Sequence, residues 1–458
     1  MRYSSSSEMV FSIGNEVGEL AQEVLMPGGI LIPYGPGLRK AVETTQSYLN
    51  DLFDITLYEA TLQTKNVQVR ADLLSRIKDY VDVIEVKSST GVKDLYLIDC
   101  AIQYWVMSEA GFTPSKLSLA HINNQFVYQG DMNYAGLFEV VDITEDISEH
   151  VDQVPVWVSD ANKVVAGDCP EVEVGDQCTK PYACPFIDYC WKDASIVEYP
   201  ISKFPGLPKK KKQELIDTGY EDVRDVPNGF IEDETLLTRL NAYKTGEHVI
   251  PQELREEFSR LEFPRYYLDF ETIGFAVPRW KGTRPYEALP FQWSCHVEDE
   301  AGEIRHLEFL DTSGEPPMRS FSDALICALD EVGPVIVYTN YERTVLRGLI
   351  KRFPVLEAQL QRIIDRLYDM HAPIKKHYFH RDLQGSYSIK KVLPAVMPEL
   401  DYSHLDGVSD GMMAQQAYFD LITDKLDINK RNMLTDELLE YCKLDTLAMV
   451  EIVRKLSK

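Results

Sequence analysis

The sequence predicts an α/β protein made of two α/β domains around a small helical connector. Three observations lead there. Apolar runs of strand length alternate with helix-period segments in both halves of the chain. A polar, lysine-bearing stretch interrupts that texture from about residue 196 to 260. The 458 residues also exceed what a single core usually organises. The expected division is 1–195, 196–260 and 261–458.

Composition narrows the class. Charged residues make up 26% of the chain and aromatics 10%, the balance of a folded globular protein. No long uncharged apolar run occurs, so no membrane partner is expected. The opening "MRYSSSSEMVFSIGNEVGEL" is polar and then amphipathic, without the apolar region of a signal peptide, and a cytoplasmic location is expected. A formal net charge of −26 repels polyanions at long range and argues against a protein that simply coats nucleic acid. It does not argue against an enzyme that gathers carboxylates around divalent metals and touches nucleic acid locally.

In the first domain, helices are expected near Val17 to Leu25 and Leu38 to Leu52. The segment "VQVRADLLSRIKDYVDVIEVKSST" reads as two strands with a turn near Lys78 to Tyr80. Asp72 falls on the first strand. Glu85 and Lys87 fall on the second, at i and i+2, and so share a face. A helix from about Asp94 to Glu109 follows and carries Gln103. Two acids can hold a hard cation such as Mg²⁺, which keeps several of its waters. A lysine beside them can orient a water or stabilise charge developing on phosphate. The same letters also fit a hairpin with an exposed, salt-bridged face. The order D, turn, E-x-K, helix resembles the PD-(D/E)XK nuclease core, specifically its RecB-like branch. That resemblance implies a restriction-endonuclease-like domain. It also implies catalytic roles for Asp72, Glu85, Lys87 and Gln103, metal binding by Asp72 and Glu85, and an additional acid at Glu59. The branch often has Q-x3-Y on the helix; here Gln103 is followed by Tyr104 and Met107.

Of the eight cysteines, Cys169, Cys178, Cys184 and Cys190 fall in "DCPEVEVGDQCTKPYACPFIDYCW", spaced C-x8-C-x5-C-x5-C. In a cytosolic protein such a cluster points to metal rather than disulfides. The spacing is not the C-x2-C of most zinc sites. It resembles the trailing cysteines of RecB-like nucleases that carry an iron–sulfur cluster, with Cys178, Cys184 and Cys190 as the trailing three. No cysteine precedes Cys100, so Cys169 is the expected fourth ligand, or the fourth is absent. A [4Fe–4S] cluster that staples the domain end is expected, with zinc the alternative and unligated thiols the remaining reading.

The connector contains "FPGLPKKKKQELIDTGYEDVRDV". It resembles a helix-hairpin-helix unit, in which Lys209, Lys210, Lys211 and Lys212 would approach phosphates. A solvated helix face accounts for the same run.

The third domain opens on "RYYLDFETIGF", an apolar strand with Asp269 and Glu271 at i and i+2. Two buried acids on one face are costly unless something offsets them, and two divalent ions would. Glu342, where "VIVYTN" runs into a helix, and Asp445 in "LLEYCKLDTLAMV" are the candidate converging acids. Tyr441 lies four residues before Asp445, on the same helix face. Together these residues resemble the DnaQ-like, DEDD-type 3′–5′ exonucleases of the RNase H-like fold. Asp269 and Glu271 match the first motif, and Tyr441 with Asp445 matches the Y-x3-D form of the third. Glu342 stands where the second motif usually has Asp, and Asp369 is a further nearby acid. Most of the domain also resembles an uncharacterised bacterial family often found C-terminal to RecB-like nuclease domains, through "YLDFET", "PRWKGTRPYEALPFQWS", "GSYSIKKVLPAVMP" and "YCKLDTLAMV". The second of these stretches offers Arg279, Lys281 and Arg284 to phosphates and Trp280 to a base, or else is a loop of packed aromatics. Lys390 and Lys391 are candidates for the substrate backbone; Ser386 or Ser388 would cap the helix they begin.

The resemblances imply a metal-dependent nuclease using Mg²⁺ or Mn²⁺. DNA with a single-stranded end is the expected partner. The rival reading is a catalytically inactive nucleic-acid-binding or scaffold protein that keeps the nuclease folds.

Overall fold

The computed structural model describes residues 5–35, 37–180, 182–192, 197–400, 402, 405, 407–423 and 426–458. They form two compact units, residues 1–175 with 274–287 and residues 176–273 with 288–458. The chain is mixed α/β, with two mixed sheets. Among the described residues, no helix is long and apolar enough to cross a membrane.

The first unit runs α1 (Ser5–Leu25), β1 (Ile30–Leu31), α2 (Leu38–Asp51), β2 (Asp54–Thr64), β3 (Val67–Ile77), β4 (Tyr80–Lys87), α3 (Asp94–Glu109), β5 (Lys116–Ile122), β6 (Phe138–Asp142), α4 (Ser148–Val151) and α5 (Val154–Ala166). Its six strands lie side by side in chain order. The β2–β3–β4 meander is antiparallel, and β5 returns parallel to β4. A parallel return needs a crossover, which α3 supplies. Strand alternation sorts the β4 side chains. Val81 and Val83 enter the core that holds Cys100, Ala101 and Trp105 of α3. Ile84 points the other way, into a core shared with Val17 and Ala21 of α1 and with Ala276 and Val277. Glu85 and Lys87 therefore point toward α3. In β2, Glu59 adopts φ 58° and breaks the ladder between the Tyr58–Leu73 and Ala60–Ala71 pairs.

The second unit begins with short helices, α6 (Ile187–Cys190), α7 (Lys209–Asp217), α8 (Glu234–Thr245) and α9 (Gln252–Ser259). Phe204, Leu215, Leu240 and Tyr243 form the small core under α7 and α8. Then come β7 (Arg265–Ile273), β8 (Leu289–Glu298), β9 (Ile304–Leu310), α10 (Met318–Ala328), β10 (Val335–Val337), α11 (Tyr341–Arg352), α12 (Glu357–Asp365), β11 (Leu367–Asp369), α13 (His371–His377), α14 (Ile389–Val396), α15 (Gly411–Ile422) and α16 (Ile428–Leu456). The sheet order is β11-β10-β7-β8-β9, antiparallel through β7–β9 and parallel where β10 joins β7 and β11. β7 is thus the middle strand, which is why "RYYLDFETI" is apolar on both faces.

Candidate active sites

In the second unit, Asp269 and Glu271 share a strand face with Tyr267. Tyr267 packs against Met449, Ile452 and Val453 of α16. The ladder shifts register directly after Glu271, a bulge of the kind that re-aims side chains. α16 is capped by Asp427, whose carboxylate accepts from the N–H groups of Asn429 and Lys430. Its buried stripe, Leu434, Leu438, Cys442, Asp445 and Met449, follows the helical repeat. That stripe carries Tyr441, Cys442 and Asp445 to the acid-bearing strand. The Cys442 thiol donates to Asp269 Oδ2 at 3.8 Å. Ligand atoms of Asp269, Glu271 and Cys442 all lie within 4.8 Å of one another. Glu342 arrives from the first turn of α11 and is 3% exposed. Asp269, Glu342 and Asp445 line one cleft of about 230 Å³, together with Tyr338, Tyr341 and Met449.

The electrostatics follow from burial. Burial, then Asp445, Glu342 and Glu271, push Asp269 well above the usual carboxylate range. Burial and then Asp445 do the same to Glu271. Burial drives Glu342 up to about 8 and Asp445 up to about 6, the latter against hydrogen bonds from Tyr402 and Tyr441 and the charge of Lys390. Tyr402 donates to Asp445 Oδ1 at 2.5 Å. Lys390 donates to Ser409 O at 2.6 Å and lies 5.0 Å from the Tyr441 ring and 5.4 Å from that of Tyr402. Glu342 Oε2 is buried without a hydrogen-bond partner among the described residues. Asp369 is occupied differently: it accepts from Asn340 Nδ2 at 2.7 Å and caps α13 through His371 N.

In the first unit, Asp72, Glu85 and Lys87 line a cleft of about 530 Å³ with Glu59, Arg70 and residues of α1. Asp72 Oδ2 accepts from Val86 N at 2.7 Å. Gln103 Nε2 donates to Glu85 Oε2, and Lys87 Nζ to Glu85 Oε1 and Asp99 Oδ2, each at 2.8 Å. Burial raises Asp72 well above its ordinary value, helped by Glu85, and also raises Glu85. Burial opposes charge on Lys87, yet Glu85 and Asp99 together hold its ammonium protonated beyond the normal range. Glu59 pairs with Arg70 at 2.6 Å.

The structure therefore brings together Asp72, Glu85, Lys87 and Gln103 at one site and Asp269, Glu271, Glu342, Tyr441 and Asp445 at another. Lys390 stands at the second site. Sequence reasoning missed Asp99, Tyr402 and Cys442. Asp99 is one helical turn before Gln103, and Cys442 is three residues before Asp445, so both were readable from helix faces. Tyr402 carries no local signal. Lys209, Lys210 and Lys211 are exposed on the first turn of α7, while Lys212 donates to Ser202 O at 2.7 Å. Trp280 is buried, edge-on to Phe275, as the packed-loop alternative has it, rather than offering its face to a base. Arg279 is paired with Glu16 at 3.0 Å, and Lys281 and Arg284 are exposed. All four clustered cysteines are free thiols: Cys169 is exposed, Cys178 buried, and Cys184 and Cys190 half-buried. Among the described residues, the thiols of Cys178, Cys184 and Cys190 are not gathered within the 4.8 Å that one ion would require.

Residues 266–388 match the family model described as Domain of unknown function (DUF2779). The matched stretch holds Asp269, Glu271 and Glu342 and stops short of Tyr441 and Asp445. The chain is 23% identical over 281 residues to the uncharacterized protein UU173 of Ureaplasma parvum, covering 56% of this chain and 40% of that protein. It is 24% identical over 225 residues to the uncharacterized protein MG366 of Mycoplasma genitalium, covering 44% of this chain and 33% of that protein. The matches thus span less than half the length of either relative. No solved structure matches the chain.

Proposed function

We propose that the protein is a metal-dependent nuclease, with a DnaQ-like 3′–5′ exonuclease site in the second unit and a RecB-like site in the first. One observation carries the reading: Asp269, Glu271, Glu342 and Asp445 come from three separate elements to one buried site where their ionised forms repel. Buried acids without enough countercharge cost stability, so a fold that retains them points to function. The five-stranded sheet agrees with an RNase H-like domain, and the meander, α3 and β5 agree with a PD-(D/E)XK core.

The donors fit Mg²⁺ or Mn²⁺. They are hard carboxylate oxygens, and the unpartnered Glu342 Oε2 is a place for a cation. Asp269, Glu271 and Asp445 would hold the ions in the second unit, and Asp72 and Glu85 in the first. When bound, such ions neutralise the acids and polarise the scissile phosphate. The chain's own groups do the rest. The Tyr441 phenol, kept protonated by burial and by Asp445, positions the attacking water. Tyr402 fixes the Asp445 carboxylate through Oδ1. Lys87, held charged, meets the phosphate in the first unit, while Gln103 locks Glu85 in place. DNA with a single-stranded end is the proposed substrate class. On the chemistry of the donor set, Cys169, Cys178, Cys184 and Cys190 are proposed to carry a [4Fe–4S] cluster, with zinc the alternative. Absorbance near 400 nm and iron content after anaerobic purification decide between them.

The test is Mn²⁺-dependent digestion of end-labelled single-stranded DNA. Wild type should degrade it and an Asp72→Ala, Asp269→Ala double variant should not. Equal, negligible digestion by both sinks the enzyme reading in favour of an inactive binding protein.

A further inference from the structure

We propose that residues 274–287 complete a track for single-stranded DNA in the first unit, running to the Asp72–Glu85–Lys87 site. The inference rests on the nuclease reading of that site and names how its substrate is held. The segment follows the acid-bearing β7 in sequence, yet it folds as part of the first unit. Ala276 and Val277 enter that unit's core. Gly282 N donates to Tyr128 O at 2.7 Å, and Tyr128 N donates to Thr283 O at 3.0 Å. The Tyr134 hydroxyl donates to Pro278 O at 3.2 Å. At the far end, the Tyr286 hydroxyl donates to the carbonyl of Ser88, the residue next to Lys87.

Between this segment and the β4–α3 loop lies a cleft of about 850 Å³. Ser88, Ser89, Thr90, Lys93, Arg284 and Tyr286 set its chemistry. Two cations face a single lining acid, Glu287, in a chain whose net charge is −26. Among the described residues, neither Lys93 nor Arg284 is engaged in an ion pair. Lys87 and Lys93 each lie 5.5 Å from the centre of the same Tyr96 ring, so one side chain of the cleft's lining borders Lys87 of the acid site. Hydroxyl donors, spare cations and two tyrosine rings suit a flexible phosphodiester backbone with unstacked bases. Arg284 therefore serves the first unit's site, although its place in the sequence puts it beside the second unit's acids.

The experiment is fluorescence anisotropy of labelled oligo(dT) on the full chain in EDTA, across a salt series, for wild type, Lys93→Ala, Arg284→Ala and the pair. Both side chains are exposed, so the variants should keep wild-type melting curves. The pair should bind tenfold or more weakly, and its salt slope should fall by about 1.4, the value for two single-strand phosphate contacts. Lys163→Ala, on the exposed face of α5, should change neither. Wild-type affinity and slope in the pair, or no binding by wild type, overturns the track. A parallel Mn²⁺ cleavage assay in an Asp269→Ala background separates the two claims. Cleft-dependent binding without cleavage supports the track and removes the nuclease reading of the first unit. Cleavage with unaltered binding in the pair does the reverse.

Discussion

Glu342→Gln should stabilise the metal-free protein at alkaline pH while disabling its second-unit site. Glu342 has an ordinary value of 4.5 and is driven to about 8, chiefly by burial. The folded state therefore holds this proton more tightly than the unfolded chain does. Stability from that proton is complete below pH 4.5 and is lost as pH rises through about 8. Moving one carboxyl across that interval corresponds to roughly 5 kcal/mol. Asp269 competes within the same cluster, so the share assigned to Glu342 is about 2–5 kcal/mol. Glutamine keeps the shape and cannot ionise. Urea denaturation in EDTA, followed from pH 4.5 to 9, reads the difference directly. The two proteins should be equally stable at the acid end, and the variant should lead by about 2–5 kcal/mol at pH 9. Adding Mn²⁺ should reverse the order, because only wild type gains fully from ligand binding. Parallel pH profiles for the two proteins in EDTA would refute the argument that burial holds Glu342 protonated in the fold.

Mn²⁺ affinity should rise between pH 6 and 8 with proton release, because the ligands must ionise to bind; calorimetry in two buffers of different ionisation enthalpy checks it, and pH-independent affinity counts against the acid site. Lys87→Ala, assayed in an Asp269→Ala background, should cut residual cleavage by about a hundredfold or more, and an unchanged rate removes Lys87 from the chemistry. Tyr402→Phe deletes a hydrogen bond that lowers Asp445. The acidic limb of the second site's pH–rate profile should then move to higher pH, and an unmoved limb rejects that role. Gly333 sits at φ +87° with an added Cβ only 2.0 Å from Pro264 O, so Gly333→Ala should cost more than about 2 kcal/mol in a denaturation series.

What the sequence made legible was whatever a local period encodes. Alternation in "YVDVIEV" placed Glu85 and Lys87 on one face, and they do share it beside Gln103. The helix expected at Asp94 to Glu109 has those bounds. The i, i+2 acids of β7 and the helical spacing of Tyr441 and Asp445 were equally readable. The illegible parts depend on contacts between distant residues. Tyr402 reaches Asp445 across 43 positions from a stretch with no periodicity. The fate of residues 274–287 was hidden because a strand-following loop looks alike whichever core receives it; Ala276 and Val277 reveal their unit only once packed. The break in the ladder at Glu59 is also silent, since nothing in "LYEATL" marks a residue that takes φ 58°. α1 begins at Ser5, earlier than the expected Val17, because the polar opening gives little apolar signal for the extra turns.

The two acid sites solve the same electrostatic problem differently, and the difference bears on how each would work. In the first unit, Lys87 lies 2.8 Å from both Glu85 and Asp99, so the protein itself supplies much of the compensating charge. The second unit offers its four acids a cation, Lys390, that is already bonded to the Ser409 carbonyl and lowers Glu271 and Asp445 without reaching Glu342. Protons must do the remaining neutralisation, and on the proposed reading divalent ions would replace them. A site neutralised by its own lysine is close to its working charge before metal arrives. A site neutralised by protons must lose them first, so its assembly is tied to both pH and metal supply. On the proposed metal-dependent reading, the buried carboxylates of "LDFET" would be tolerated as acids while protonated and would serve as ligands once ionised.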